Sequence, residues 1–198
     1  MSATAVAVRK PFTMPRMSGT KLVFTWIGLA LAAFPLAGYA GWGVSGHIDA
    51  VGPALIGGAI TGAGIGLVQW LFLRKDLGMS AVPWIAATSI ALAGGLAIGS
   101  AVVGYEVTAG QLAIMGAISG APVGIAQGFL LRSRFSLWHL WMLAMPVMFA
   151  IGWVVTESAG IDVANQFTVF GASGSIVFGL LTGLLMMSGH RLQDRRAS

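Results

Sequence analysis

Six stretches of 19 to 23 residues contain no Asp, Glu, Lys or Arg: Leu22–Val44, Val51–Leu73, Val82–Val103, Gln111–Leu131, Leu137–Val155 and Phe167–Met187. About 20 apolar residues in a helix cross the hydrocarbon core of a bilayer. Backbone amides have no water to bond in that layer, so a single span must be helical. Only 9% of the 198 residues are charged, whereas a soluble domain carries roughly a quarter. The chain therefore reads as an all-α integral membrane protein with six transmembrane helices. A membrane domain covers residues 22–187, with basic tails at 1–21 and 188–198.

The charges sort by side. Arg9, Lys10, Arg16 and Lys21 precede the first span, Arg74 and Lys75 follow the second, Arg132 and Arg134 follow the fourth, and Arg191, Arg195 and Arg196 follow the sixth. All eleven fall on one side of a six-span topology. The opposite loops hold Asp49, Glu106, Glu157 and Asp162. By the positive-inside rule both termini are cytoplasmic, in a bacterial inner membrane. Trp26, Trp70, Trp84, Trp138 and Trp141 near the basic ends, with Trp42, Trp153, Tyr39 and Tyr105 near the acidic ends, read as interfacial belts. The net charge of +5 then reflects topology and lipid headgroups, not nucleic acid. A basic stretch, an apolar run and "GYA" at 38–40 resemble a signal peptide, but the run is too long and is read as a retained span.

One segment is written more than once. "GAITGAGIGLVQWLFLR" at 58–74 returns as "GAISGAPVGIAQGFLLR" at 116–132, identical at nine of seventeen positions, and more faintly as "GASGSIVFGLLTGLLMM" at 171–187. Trp26, Trp84 and Trp141 open the spans before each copy. The unit is a two-helix hairpin repeated over about 22–79, 80–136 and 137–187. Two spans per unit make the repeats parallel, related by an axis along the membrane normal. A pseudo-threefold bundle is expected, with three hairpins in a row as the alternative.

At 100° per residue, Gly58, Gly62 and Gly66 share one helix face with Gln69; Gly116, Gly120 and Gly124 share one with Gln127; Gly171, Ser175 and Gly179 share one with Thr182. Between helices in lipid, such small residues permit close backbone approach and dispersion contact. These nine positions are the expected helix-packing residues. Gln69, Gln127 and Thr182 form either interhelical hydrogen bonds or a polar ring around the axis. Pro35, Pro122 and Pro146 lie mid-span as kinks.

Catalysis finds little to work with. Cysteine is absent, which excludes disulfides, thiolate metal sites and cysteine nucleophiles. No ionisable pair sits at membrane depth, where such groups signal ion coupling or proton transfer. No metal-ligand pattern is present, so no metal site and no enzyme activity are expected. His139, beside Trp138 and Trp141, is the one candidate ligand for a chlorin or haem; His47 and His190 read as loop residues. The acidic loop residues read as solvated charge, with contact to a divalent cation or a basic partner as the alternative.

The hairpin ending Gln69-Trp70-x-x-Leu73-Arg74 resembles small, uncharacterised bacterial membrane proteins with glycine-ladder hairpins. The second copy keeps Gln127 and Arg132 but has Gly128 where the first has Trp70, and the resemblance implies no activity. Three functions fit these readings. The first is a non-catalytic accessory or scaffold subunit that packs, within the lipid bilayer, against other membrane protein subunits. The second is a passive channel or transporter for a small solute or ion, lined by Gln69, Gln127, Thr182, Thr61 and Ser119. The third binds a pigment (chlorin or carotenoid), quinone or lipid between hairpins, although the sequence itself requires no cofactor.

Overall fold

A computed structural model describes residues 19–77, 81–163 and 168–197. Among them are six helices and no strand: α1 (Gly19–Ser45), α2 (Val51–Leu77), α3 (Ala81–Val102), α4 (Ala109–Leu131), α5 (Trp138–Ser158) and α6 (Ala172–Ala197). Each is long and apolar enough to cross a membrane, and the protein is a multi-pass membrane protein. The segment with Arg9, Lys10 and Arg16 lies outside the described residues, as does the expected start of the sixth span at Phe167.

Every helix packs against its chain neighbours, and α6 packs against α1. The six helices thus close into a ring in chain order. Leu and Ile side chains cover the outside, with Phe24, Leu36, Val82, Ile90 and Leu143 among the most exposed. Such a surface belongs against hydrocarbon.

The ends of the odd-numbered helices explain how the chain reverses. Each stops at a glycine with positive φ: Gly46 (74°), Gly104 (64°) and Gly160 (73°). After α3, Tyr105 N–H donates to the Ser100 carbonyl (2.9 Å) and Gly104 N–H to that of Ala101 (3.2 Å). After α5, Ile161 N–H donates to Thr156 O (3.4 Å) and Gly160 N–H to Glu157 O (2.8 Å). Both are Schellman caps, which satisfy the last carbonyls of a helix before it leaves the membrane.

Two boundaries differ from the sequence reading. Thr168, Val169 and Phe170 are buried but not helical. The Thr168 hydroxyl donates to Gly38 O (3.2 Å) and is hydrogen-bonded to Thr61, while Phe170 stacks on Phe34 with ring centroids 4.8 Å apart. Irregular backbone is tolerated at such depth only when protein surrounds it, and here α1, α2 and α5 do so. Hydropathy does not separate this insertion from a helix. At the other end, α6 continues to Ala197 through what reads as a tail.

Candidate functional site

The ladder residues all turn inward. A β-carbon at Gly58 would stand 2.8 Å from Ala93 Cα, one at Gly62 2.7 Å from Ser89 Cα, and one at Gly66 3.1 Å from Ile85 Cα, all on α3. Gly116 meets Ala150 Cα at 2.8 Å and Gly124 meets Met142 O at 2.8 Å, on α5; Gly120 meets Met145 O at 2.7 Å, also on α5. On α6, Gly179 meets Ile27 Cα of α1 at 3.0 Å. Ser175 is buried and bonds back to Gly171 O (2.7 Å), while Gly171 lies against Ile161 and Thr156. α2 and α4 therefore lay their ladders on the odd-numbered helix that follows, and α6 does so at Gly179, whereas Gly171, just before α6, lies against Thr156 of α5. No ladder helix uses that face for another ladder.

Large side chains from the odd-numbered helices fill what the glycines leave. Trp26, Trp84 and Trp141 are 3%, 0% and 2% exposed, which corrects their reading as interfacial. They sit at helix ends but point into the ring. Trp153 is likewise buried, whereas Tyr39 faces outward and Trp70 carries the Arg74 guanidinium 5.7 Å from its ring centre. Further along the interior, Phe34, Phe149, Phe170 and Phe178 form one ring cluster with centroid spacings of 4.8 to 5.4 Å.

Of the three aligned polar residues, two meet. Gln127 Nε2 donates to Gln69 Oε1 (2.9 Å) and to Thr88 Oγ1 (3.0 Å), and its Oε1 accepts from Trp141 Nε1 (3.2 Å). Thr182 instead accepts from Trp26 Nε1 (2.7 Å) and donates to Phe178 O (2.7 Å). The Thr61 hydroxyl is bonded to Thr168 and lies 3.2 Å from Ala37 O, and Ser119 donates to Gly116 O (3.2 Å). The polar groups expected along a lumen are bonded to protein. Thr88, the fourth member of this network, escapes the repeat alignment because it lies on an odd-numbered helix. Its own hydroxyl is held by Trp84 O (2.9 Å).

His139 is exposed and edge-on to Trp138 at 5.8 Å. Among the described residues no group of three His, Asp or Glu could hold a metal ion.

The second locus is at the acidic end and is not visible in the repeat. A cavity of about 340 Å³ lies between the end of α1 and its loop (Trp42, His47, Ile48, Asp49), the α3–α4 turn (Tyr105, Glu106, Val107), and the walls given by Leu96, Ser100, Leu112, Met115 and Trp153. Leu96 is six residues before the end of α3, so the cavity reaches about 9 Å below the helix ends. Tyr105 lines it in a left-handed conformation, φ 63°. A bulky side chain held there costs roughly 1–3 kcal/mol, which the surrounding structure must offset. Gln111 Nε2 donates to Glu106 Oε2 (3.2 Å) and fixes one rim carboxylate. A sequence signal for this turn did exist: Gly-Tyr-Glu after an apolar run, 20 residues past Trp84.

Comparison with protein-family models, with curated proteins and with solved structures finds no match.

Proposed function

We propose that this protein is a non-catalytic membrane subunit that binds a small molecule in the cavity at its acidic end and serves a larger membrane assembly. The cavity itself carries the reading. Its volume is at the small end of the range for ligand sites, and its walls are mostly apolar with a few polar groups at the rim, the usual composition of a binding pocket. Farther along the axis, the phenylalanine cluster and the Gln69–Gln127–Thr88 network occupy the interior. A ligand entering at the acidic end thus meets packed side chains, which favours capture over free passage. A subunit that captures without conducting has use beside other subunits, and the apolar exterior offers them helix surface.

The three hairpins are read as copies of one unit. Supporting this are the matching αL glycines, the matching buried tryptophans and the packing of the α2 and α4 ladders on the next helix, repeated by α6 at Gly179. With basic loops cytoplasmic, the cavity faces away from the cytoplasm.

Native mass spectrometry of protein extracted in mild detergent tests the reading. A retained small molecule is expected on the wild type and should be lost in Ser100→Phe, which fills the cavity. Co-purifying chains are expected to remain in both. Identical spectra for the two proteins, with no small-molecule adduct in either, contradict it.

A further inference from the structure

We infer that the cavity at the acidic end selects small organic cations, an inference that rests on the binding role proposed for that cavity. Its lining carboxylates are Asp49 and Glu106, the imidazole of His47 also lines it, and neither Lys nor Arg does. The two other acidic residues of that end, Glu157 and Asp162, add charge of the same sign, while the described basic residues Lys21, Arg74, Arg132, Arg134 and Arg191 belong to the opposite end. Helices of 21 to 27 residues separate the two groups, a distance of roughly 30 Å or more. That exceeds the ~8 Å screening length of physiological salt several-fold. Among the described residues, the Lys and Arg side chains are thus screened from the cavity, where Asp49 and Glu106 lie against low-dielectric walls that focus their field.

The walls choose among cations. Trp42, Tyr105 and Trp153 line the cavity, and aromatic faces attract ammonium groups, quaternary ones above all, by their ring quadrupoles. A hard divalent ion needs six or more oxygen ligands, and the apolar lining by Leu96, Leu112, Met115 and Val163 supplies none. An organic cation matches both features: its charge sits toward Asp49 and Glu106 and its hydrocarbon against the aromatic wall.

The absence of cysteine makes a direct test simple. Ser100→Cys places a single thiol on the cavity wall with little change in volume, and Met115→Cys places one on the adjoining wall, where Met115 Sδ lies 3.4 Å from Ser100 Oγ, in case the first variant is not stable. Each is treated with two methanethiosulfonates, one bearing trimethylammonium and one bearing sulfonate, and the rate ratio is normalised to that of a free thiol in solution. Leu96 and Leu112 flank both positions, so reagents must enter the cavity to react. The inference predicts a normalised ratio favouring the cation by about tenfold or more, the range for field focusing in a cleft. It also predicts that Asp49→Asn with Glu106→Gln returns the ratio to near one. A ratio near one in the parent variants overturns cation selection and leaves the binding role standing. Silence toward both reagents in the folded protein, with reaction after denaturation, overturns the binding role as well.

Discussion

Trp26 and Trp141 each donate an indole hydrogen bond to a side chain of an even-numbered helix, and Trp84, the third member of the set, does not. Its Nε1 is buried without a partner among the described residues, while the carbonyl oxygen of Gln69 accepts from the Gln127 amide. Leaving a buried donor unpaired costs about 1–3 kcal/mol. Trp84→Phe should therefore destabilise the protein less than Trp141→Phe, which removes the same volume but also frees the Gln127 carbonyl. Gln127→Leu should cost about 1–3 kcal/mol, since interhelical hydrogen bonds in bilayers are worth roughly 0.6–2 kcal/mol each and three depend on this side chain. Unfolding in mixed detergent micelles measures all three variants. Equal losses for Trp84→Phe and Trp141→Phe would contradict this account of the network.

At the scale of the helix, the ladder is asymmetric in use. Gly62 faces the α3 backbone at 2.7 Å, whereas Gly94, also mid-helix, has nothing within 4 Å of where a β-carbon would stand. Gly62→Ala must push two backbones apart and should cost about 1–3 kcal/mol, as overpacking does; Gly94→Ala should change stability by no more than about 0.5 kcal/mol. Thermal unfolding of the two variants side by side checks this, and the reverse order is the contradictory result. Much of this element-level picture is legible in sequence. Uncharged runs mark the helices, and 3.6-residue periodicity puts each ladder on one face. What a periodic pattern lacks is the identity of the facing helix. Trp26, Trp84 and Trp141 show the consequence: depth along the membrane normal is readable from position, but direction around the helix depends on neighbours. The buried, non-helical Thr168–Phe170 segment was hidden for a related reason, since hydropathy scores burial and not backbone shape.

For the molecule as a whole, the closure of six helices into a ring determines where everything else can lie. A ring needs filling along its axis, and the aromatic side chains of α1, α5 and α6 provide it. At the acidic end Thr168–Phe170 insert into the bundle, and the cavity lies between the α1–α2 and α3–α4 connections. None of this can be read from a repeat, because the cavity arises from the way the three units differ. The repeat predicts like contacts at each junction; the one between the last helix and the first is the contact that separates a ring from a row. A β-carbon at Gly183 would lie 3.4 Å from Val23 Cα, within reach of a disulfide, whose β-carbons are about 3.5–4.5 Å apart. In the naturally cysteine-free chain, Val23→Cys with Gly183→Cys should oxidise rapidly to an intramolecular disulfide that alters migration on denaturing gels, while Val23→Cys with Gly124→Cys should not. If the first pair stays reduced in membranes and the second cross-links, α6 does not close on α1 and the ring is wrong.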